Sequence, residues 1–280
     1  MPDTCANPSA GPGATLLAGR YGAPQYAVGP WSGAIDTMLS HASVRAYLDT
    51  RLPLGTIETL VAAAQSAATS SNLQVWSVVA VEDAERRGRL AELAGGQRQI
   101  RQAPLFLAWL ADLSRAERVA GAIGVALEGL PFLETFLVAA IDAALAAQNA
   151  AVAAESLGLG TCYIGALRNR PVDVAAELGL PPGAFAIFGL CVGYPDPASP
   201  ASIKPRLPPE AVLHREQYDA APERDAVATF DARLAAFQRS QGMAAQSWSR
   251  LVANRLRTPA SLTGRDRLAA ALRTLGFGLR

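Results

Sequence analysis

The sequence is poor in the residues that most often carry chemistry on their own. Only two histidines, His41 and His214, occur in 280 residues, and the three cysteines, Cys5, Cys162 and Cys191, stand far apart with no Cys-x-x-Cys pair. So small a supply of nitrogen and sulfur ligands argues against a zinc or iron centre. An odd number of scattered cysteines also argues against a disulfide framework and fits a reducing cytoplasm. Aromatic residues make up 6% of the chain and charged residues 18%, the net charge is +1, and no run of lysine or arginine occurs. Nucleic-acid binding therefore lacks its electrostatic footprint, and single strands lack a stacking platform. The N-terminus carries Asp3, no basic region and no continuous apolar stretch, so a signal peptide is not expected. Gly-x-Ser-x-Gly, P-loop and His-Glu-x-x-His motifs are all missing.

What the chain has is apolar residues, half of the total, which is enough for a well-buried core and excludes disorder of the whole chain. Residues 1–30 hold five glycines and five prolines with little periodicity; they are expected to form a mobile extension, with regular structure beginning near Trp31. Ile35, Met38 and Leu39 have helical spacing, as do Ile57, Leu60, Val61 and Ala64 within 54–68. Short β-rich runs at 75–81, 104–110, 161–164 and 184–192 predict four strands. Helices are expected at 84–94, stopped by Gly95-Gly96, and at 172–178. Six prolines between 195 and 209 impose an extended loop, and the remainder from about 210 is predicted mostly helical. This mixture, without a strict βαβ alternation, predicts an α+β sandwich with a mixed or antiparallel central sheet flanked by helices.

An alanine-rich segment at 132–157 is the one candidate for a membrane span. It contains Asp142, Gln148, Asn149 and Glu155, and an ionisable residue deep in a bilayer costs roughly 2.5–3.5 kcal/mol on insertion scales. A buried helix is the better reading, and no membrane partner is expected. Asp142 and Glu155 are too far apart on it to form a catalytic carboxylate pair.

Three polar clusters could bind a ligand. His41, Ser43 and Arg45 follow a helix, and Lys204 and Arg206 flank Pro205 in the stiffened loop; a phosphate needs such charge and donors at fixed angles. From composition alone, these read first as ordinary solvated surface charges. Thr69-Ser70-Ser71-Asn72-Leu73-Gln74 could bond a polar ligand or merely cap a helix and turn the chain. Gly158-Leu159-Gly160-Thr161-Cys162-Tyr163-Ile164-Gly165 superficially suggests a dinucleotide fingerprint. Its glycine spacing is wrong and it follows a helix, so a Rossmann unit is rejected. Glycines there would let backbone N–H groups approach a flat ligand. With no nucleophile or acid–base set in view, chemistry would have to come from a bound cofactor.

These clusters also occur in a familiar order. His-x-Ser-x-Arg at 41–45, Ser-Ser-x-Leu-Gln at 70–74, Gly95-Gly96-Gln97, the run from Ala153 to Gly160 followed by Tyr163-Ile164-Gly165, Leu167-Arg168-Asn169, Phe188 to Gly193 and Lys204-Pro205-Arg206-Leu207-Pro208 lie in register. Together they closely resemble the nitroreductase superfamily, in particular the group of nitroreductase A and NADPH–flavin oxidoreductase, from about Trp31 to the end. The resemblance implies an FMN-binding homodimer of one domain, residues 31–280, with a C-terminal helical extension. It implies that His41, Ser43, Lys204 and Arg206 hold the FMN phosphate, that Arg45 reaches the N1/O2 side of the flavin, and that Gln97, Ser70 and Ser71 bond the ring or ribityl chain. Tyr163, Ile164 and Gly165 would lie by the flavin with a backbone N–H near N5, while Asn72 and Arg265 would meet substrate. The alanine-rich helix, apolar all round, would then be buried in the dimer core.

The activity so implied is a ping-pong, two-electron reduction of nitroaromatics, quinones or free flavins with NADPH or NADH. Alternatives are a flavin-binding store or sensor with little turnover, and an apolar helical scaffold. Two departures from the family pattern stand out. Ala42 replaces an arginine that many relatives carry directly after the histidine. The stretch 240–247 has no lysine or arginine, where NADPH-selective relatives place arginines.

Overall fold

In the computed structural model, residues 13–22 and 29–280 are described; Cys5 and Asp3 lie outside them. The elements in chain order are α1 (Ala14–Tyr21), α2 (Gly33–Ser40), α3 (Thr56–Gln65), β1 (Trp76–Val81), α4 (Ala84–Leu93), α5 (Arg98–Gln102), β2 (Leu105–Asp112), α6 (Ser114–Ala122), α7 (Leu133–Ser156), β3 (Gly160–Ile164), α8 (Pro171–Leu178), β4 (Ala184–Gly193), α9 (Glu223–Ser240), α10 (Trp248–Leu256) and α11 (Leu268–Thr274). Among the described residues, regular structure begins at Ala14, earlier than the expected start near Trp31. Helix α1 carries a clear core contact of its own, since Leu17 and Arg20 are buried. The short helices α5 and α6 had no sequence expectation.

The chain divides into two compact units. One takes in the described residues up to Ala42 together with Ser202–Ser261; the other comprises Ser43–Ala201 and Leu262–Arg280. The second unit contains the sheet. Its four strands run in the order β1-β2-β4-β3, and every neighbouring pair is antiparallel. Long-range hairpin pairing rather than βαβ crossover is what the absence of strict alternation predicts.

Strand β2 is central and buried along its whole length, so both of its faces are covered. Phe106, Ala108 and Leu110 point to one side with Cys162, Ile164, Ala186 and Cys191, where Leu90, Ala91, Ile100 and Val174 of the helices pack. Leu105, Leu107 and Trp109 point to the other side, against Leu60 and Ala64 of α3 and the alanines of α7. The period-two alternation of a strand sorts one run of apolar residues between two layers.

Helix α7 is not uniform around its circumference. Ala139, Ala143, Ala146, Ala147, Ala150, Ala151 and Ala154 are buried, and small side chains let the helix lie close to the sheet. The bulkier Leu133, Leu137, Ile141 and Leu145, spaced by four residues, remain exposed in the single chain. This chain buries the alanine face itself and leaves the leucine and isoleucine ridge bare. By length and composition alone α7 could cross a membrane, but its alanine face packs on strands.

Candidate functional site

In the sheet-bearing unit, the residues after Ser43 form an edge on β3. Ser43 makes a parallel bridge to Thr161, and the Val44 N–H donates to the Thr161 carbonyl at 2.9 Å. Gly160 makes this approach possible, because a Cβ there would stand 2.5 Å from Val44 Cγ2. The open side of Gly160 is therefore filled by Val44, whereas the sequence reading had assigned the glycines of this stretch to a ligand. Gly158, with φ +77°, ends α7 in the left-handed region. The Tyr47 hydroxyl donates to the Val44 carbonyl at 2.8 Å. Burial holds its phenol pKa well above the ordinary value, with nearby Cys191 adding to the effect, so it stays a donor.

Val44 faces inward, and its neighbours are therefore turned outward by strand geometry. Ser43 is half-buried and Arg45 exposed, with Arg45 Nη1 donating to the Ser43 carbonyl at 3.3 Å. Tyr163, Ile164 and Gly165 continue from the same strand. The Tyr163 ring meets Phe188 edge-on at 5.2 Å and its hydroxyl donates to Gln148 Oε1 of α7 at 3.3 Å. The Arg168 guanidinium lies against Gly165, 3.1 Å from where a Cβ would stand.

The turn at 69–74 is anchored to α7 by a residue that sequence reasoning valued only as a penalty in a bilayer. Asp142 is buried; it accepts the Thr69 hydroxyl at 2.6 Å and the Ser70 N–H at 3.1 Å. Thr69 Oγ1 in turn accepts the Gln74 N–H at 2.9 Å. Inside this closed ring Ser71, Asn72 and Gln74 all have positive φ, at 49°, 55° and 52°. Non-glycine residues in that region carry a cost of order 1–3 kcal/mol each and persist where surrounding structure over-determines them. The Ser70 and Ser71 side chains are left exposed. Asp142 and Gln148 are six residues apart on α7, about 9 Å along the axis, so one helix sets the spacing of the serine turn and of Tyr163.

Gln97 follows Gly95 and Gly96, whose φ values of 78° and 77° close α4. Its side-chain oxygen accepts from Gln99 Nε2 at 2.6 Å. Asn169 lies beside this turn, its Nδ2 3.7 Å from a Cβ built on Gly95, and Arg265 Nε donates to Asn169 Oδ1 at 2.8 Å. The structure thus brings Arg265, Asn169 and the Gly95–Gln97 turn together, although they are far apart in sequence. Asn169 had been noted only as part of a motif.

The other unit holds the remaining basic residues. His41 ends α2, and the Lys204-Pro205-Arg206 loop runs nearby within the same unit. Buried Arg20 joins them: it donates through Nη1 to the Lys204 carbonyl at 3.0 Å and through Nη2 to the His41 carbonyl. Arg206 is exposed, with Nη1 donating to the carbonyls of Pro205 at 3.2 Å and Lys204 at 3.4 Å. Nothing in the local sequence pattern around Arg20 marked it out. The arginine-free stretch 240–247 opens with a turn after α9, where Gly242 has φ 67° and the Gln246 N–H donates to Gln238 Oε1 at 2.6 Å.

Comparison with known proteins places the chain in a family. Residues 38–194 match the model of the nitroreductase family, and residues 204–280 match that of the nitroreductase family C-terminal domain. An FMN reductase (NADPH) of Bacillus subtilis is 39% identical over 228 residues, covering 80% of this chain and 91% of that protein. Among solved structures, NfrA2 of B. megaterium superposes with a TM-score of 0.83 at 38% identity, over 89% of this chain and all of its own. The NADPH:FMN oxidoreductase from Vibrio harveyi, solved in complex with NAD+, gives a TM-score of 0.78 at 33% identity, over 89% of this chain and 100% of its own. The fold is that of an α+β flavoprotein sandwich. This chain belongs to the nitroreductase family.

Proposed function

We propose that the chain is an FMN-dependent oxidoreductase that takes electrons from NADPH or NADH and reduces small acceptors: nitroaromatics, quinones or free flavins. Relatives named FMN reductase, NADPH-flavin oxidoreductase and oxygen-insensitive NADPH nitroreductase support it. None of these names suggests a flavin store or sensor, so that alternative has no support.

The observation that carries the reading is the donor set. FMN offers an anionic phosphate, a polyol and a ring edge with acceptors. The chain offers His41, Ser43, Lys204 and Arg206 for the anion, and exposed Ser70 and Ser71 with Gln97 for hydroxyl and ring groups. Arg45 stands outward on a backbone fastened to β3. Bound FMN would supply the two-electron chemistry between nicotinamide and acceptor. Arg45 would place positive charge where the reduced ring develops negative charge at N1/O2. Tyr163, Ile164 and Gly165, on a strand edge tied to α7, would present backbone N–H groups to the ring. Asn72 and Arg265 would face the acceptor. The exposed ridge of α7 supports a homodimer.

The purified protein is expected to be yellow, with about one FMN per chain. Arg206→Ala should weaken FMN binding on the order of tenfold to a hundredfold, the size of a hydrogen bond to a charged group. Titration of the apoprotein measures this, and an unchanged dissociation constant removes Arg206 from the phosphate. Absence of flavin, with no uptake of added FMN, ends the reading.

Donor choice depends on cations that meet the 2′-phosphate, and none lies between Ser240 and Ser247. Each missing charge-assisted contact withdraws roughly 1.5–3 kcal/mol of discrimination. The ratio of kcat/KM for NADPH over NADH, with one quinone acceptor, should therefore stay below about a hundredfold. A larger ratio would mean that Arg239 or Arg265 has taken over the missing contacts.

A further inference from the structure

Helix α1 lies upstream of the segment that matches the family, which begins at residue 38. Its last turn nevertheless carries Arg20, a residue that is only 4% exposed. Arg20 Nε donates to the Leu39 carbonyl at 3.1 Å, Nη1 to the Lys204 carbonyl at 3.0 Å and Nη2 to the His41 carbonyl. The backbone completes the tie, because the Arg206 N–H donates to the Arg20 carbonyl at 2.9 Å. One residue thus spans two segments more than 160 positions apart in the chain, which carry His41, Lys204 and Arg206. All of them belong to one compact unit.

A buried cation with three directed bonds to carbonyl oxygens is a demanding arrangement. The planar fork of arginine meets acceptors in several fixed directions, whereas a lysine ammonium is a point charge on a flexible stem. The acceptors are Leu39 in the last turn of α2, His41 just beyond it and Lys204 in the proline-stiffened loop; the latter two lie outside regular structure. The position at the C-terminal end of α1 also suits a cation, since the helix dipole is negative there.

We propose that Arg20 is a positioning residue for the flavin phosphate, supplied by this chain's own N-terminal helix, which locks the backbones of His41 and Lys204-Pro205-Arg206 in the geometry that receives a phosphomonoester. The inference rests on the FMN reading given above. Its sign is specific: Arg20 acts on the segments that meet the phosphate, and not on those assigned to the isoalloxazine ring.

The test compares FMN with riboflavin, which lacks the phosphate, in titrations of full-length apoprotein. Wild type should bind FMN more tightly than riboflavin. Arg20→Ala should lower FMN affinity by about tenfold or more, the loss expected when charge-assisted contacts are misplaced, and leave riboflavin affinity unchanged. Arg20→Lys, which keeps the charge and the aliphatic stem, should fall between the two and still lose part of the discrimination. An FMN to riboflavin ratio equal to wild type in both variants overturns the proposal. So does an equal loss for both ligands, which would show a merely structural residue. If Arg20→Ala does not fold, the ratio in Arg20→Lys decides alone. Wild-type protein that binds neither ligand overturns the FMN reading itself, and the role of Arg20 with it, and is told apart by needing no variant.

Discussion

In the proposed homodimer, Ile141→Lys is expected to leave monomers at micromolar concentration. Ile141 is 56% exposed in the single chain, in the middle of the ridge formed by Leu133, Leu137 and Leu145 on α7. A ridge of this kind on a monomer would leave an apolar patch facing water. In a two-fold dimer the same patch meets its own copy, so one substitution acts twice. An ammonium buried without a partner costs several kcal/mol, and every 1.4 kcal/mol is tenfold in the dissociation constant. Two such charges should weaken association by about a thousandfold or more. Sedimentation of wild type and variant decides it. A variant that stays dimeric with unchanged affinity would move the interface to another surface. The alanine face of α7 is already buried against the sheet, so the variant chain should keep its fold.

Asp142→Ala should cost about 3 kcal/mol of stability, because it leaves the Thr69 hydroxyl and the Ser70 N–H without their acceptor, at roughly 1–3 kcal/mol each when buried. The same change releases the turn in which Ser71, Asn72 and Gln74 hold positive φ. A strained loop relaxes when the contacts that over-determine it are removed. Riboflavin and FMN affinity should therefore fall together, since Ser70 and Ser71 are assigned to the ring and ribityl chain. This contrasts with Arg20, where only FMN is affected. Asp142→Asn keeps one side-chain acceptor and should recover most of the stability. Urea denaturation with flavin titration on the same samples checks both effects. A loss below about 1 kcal/mol with unaltered flavin binding would show that the turn holds itself.

The local elements were legible because each rests on nearest-neighbour physics. Helical spacing located α2, α3, α4, α7 and α8; β-branched and apolar runs located all four strands; the Gly95-Gly96 pair and the prolines after Tyr194 located the breaks. Helices α5 and α6 went unseen because they are short and polar, so the apolar spacing that marks a helix is thin in them. Helix α1 was hidden in a stretch rich in glycine and proline, where eight residues of modest periodicity carry little weight against the surrounding composition. The order of motifs indicated the family and the kind of cofactor without any coordinates.

What the sequence by itself determined, then, was the alternation of elements, the apolar budget of the core and the identity of the groups available for an anion and a flat ring. The tertiary structure decided which of them share a place. It paired Arg265 with Asn169 beside the Gly95–Gln97 turn, gave the open side of Gly160 to Val44, and turned Asp142 from an oddity in an alanine-rich helix into the anchor of the serine turn. It also divided α7 into a face the chain buries and a ridge it leaves bare. The reason is physical: spacing along a helix or strand is a local property, whereas a buried carboxylate or guanidinium acquires its role only from acceptors and donors brought to it by chain segments far away in sequence.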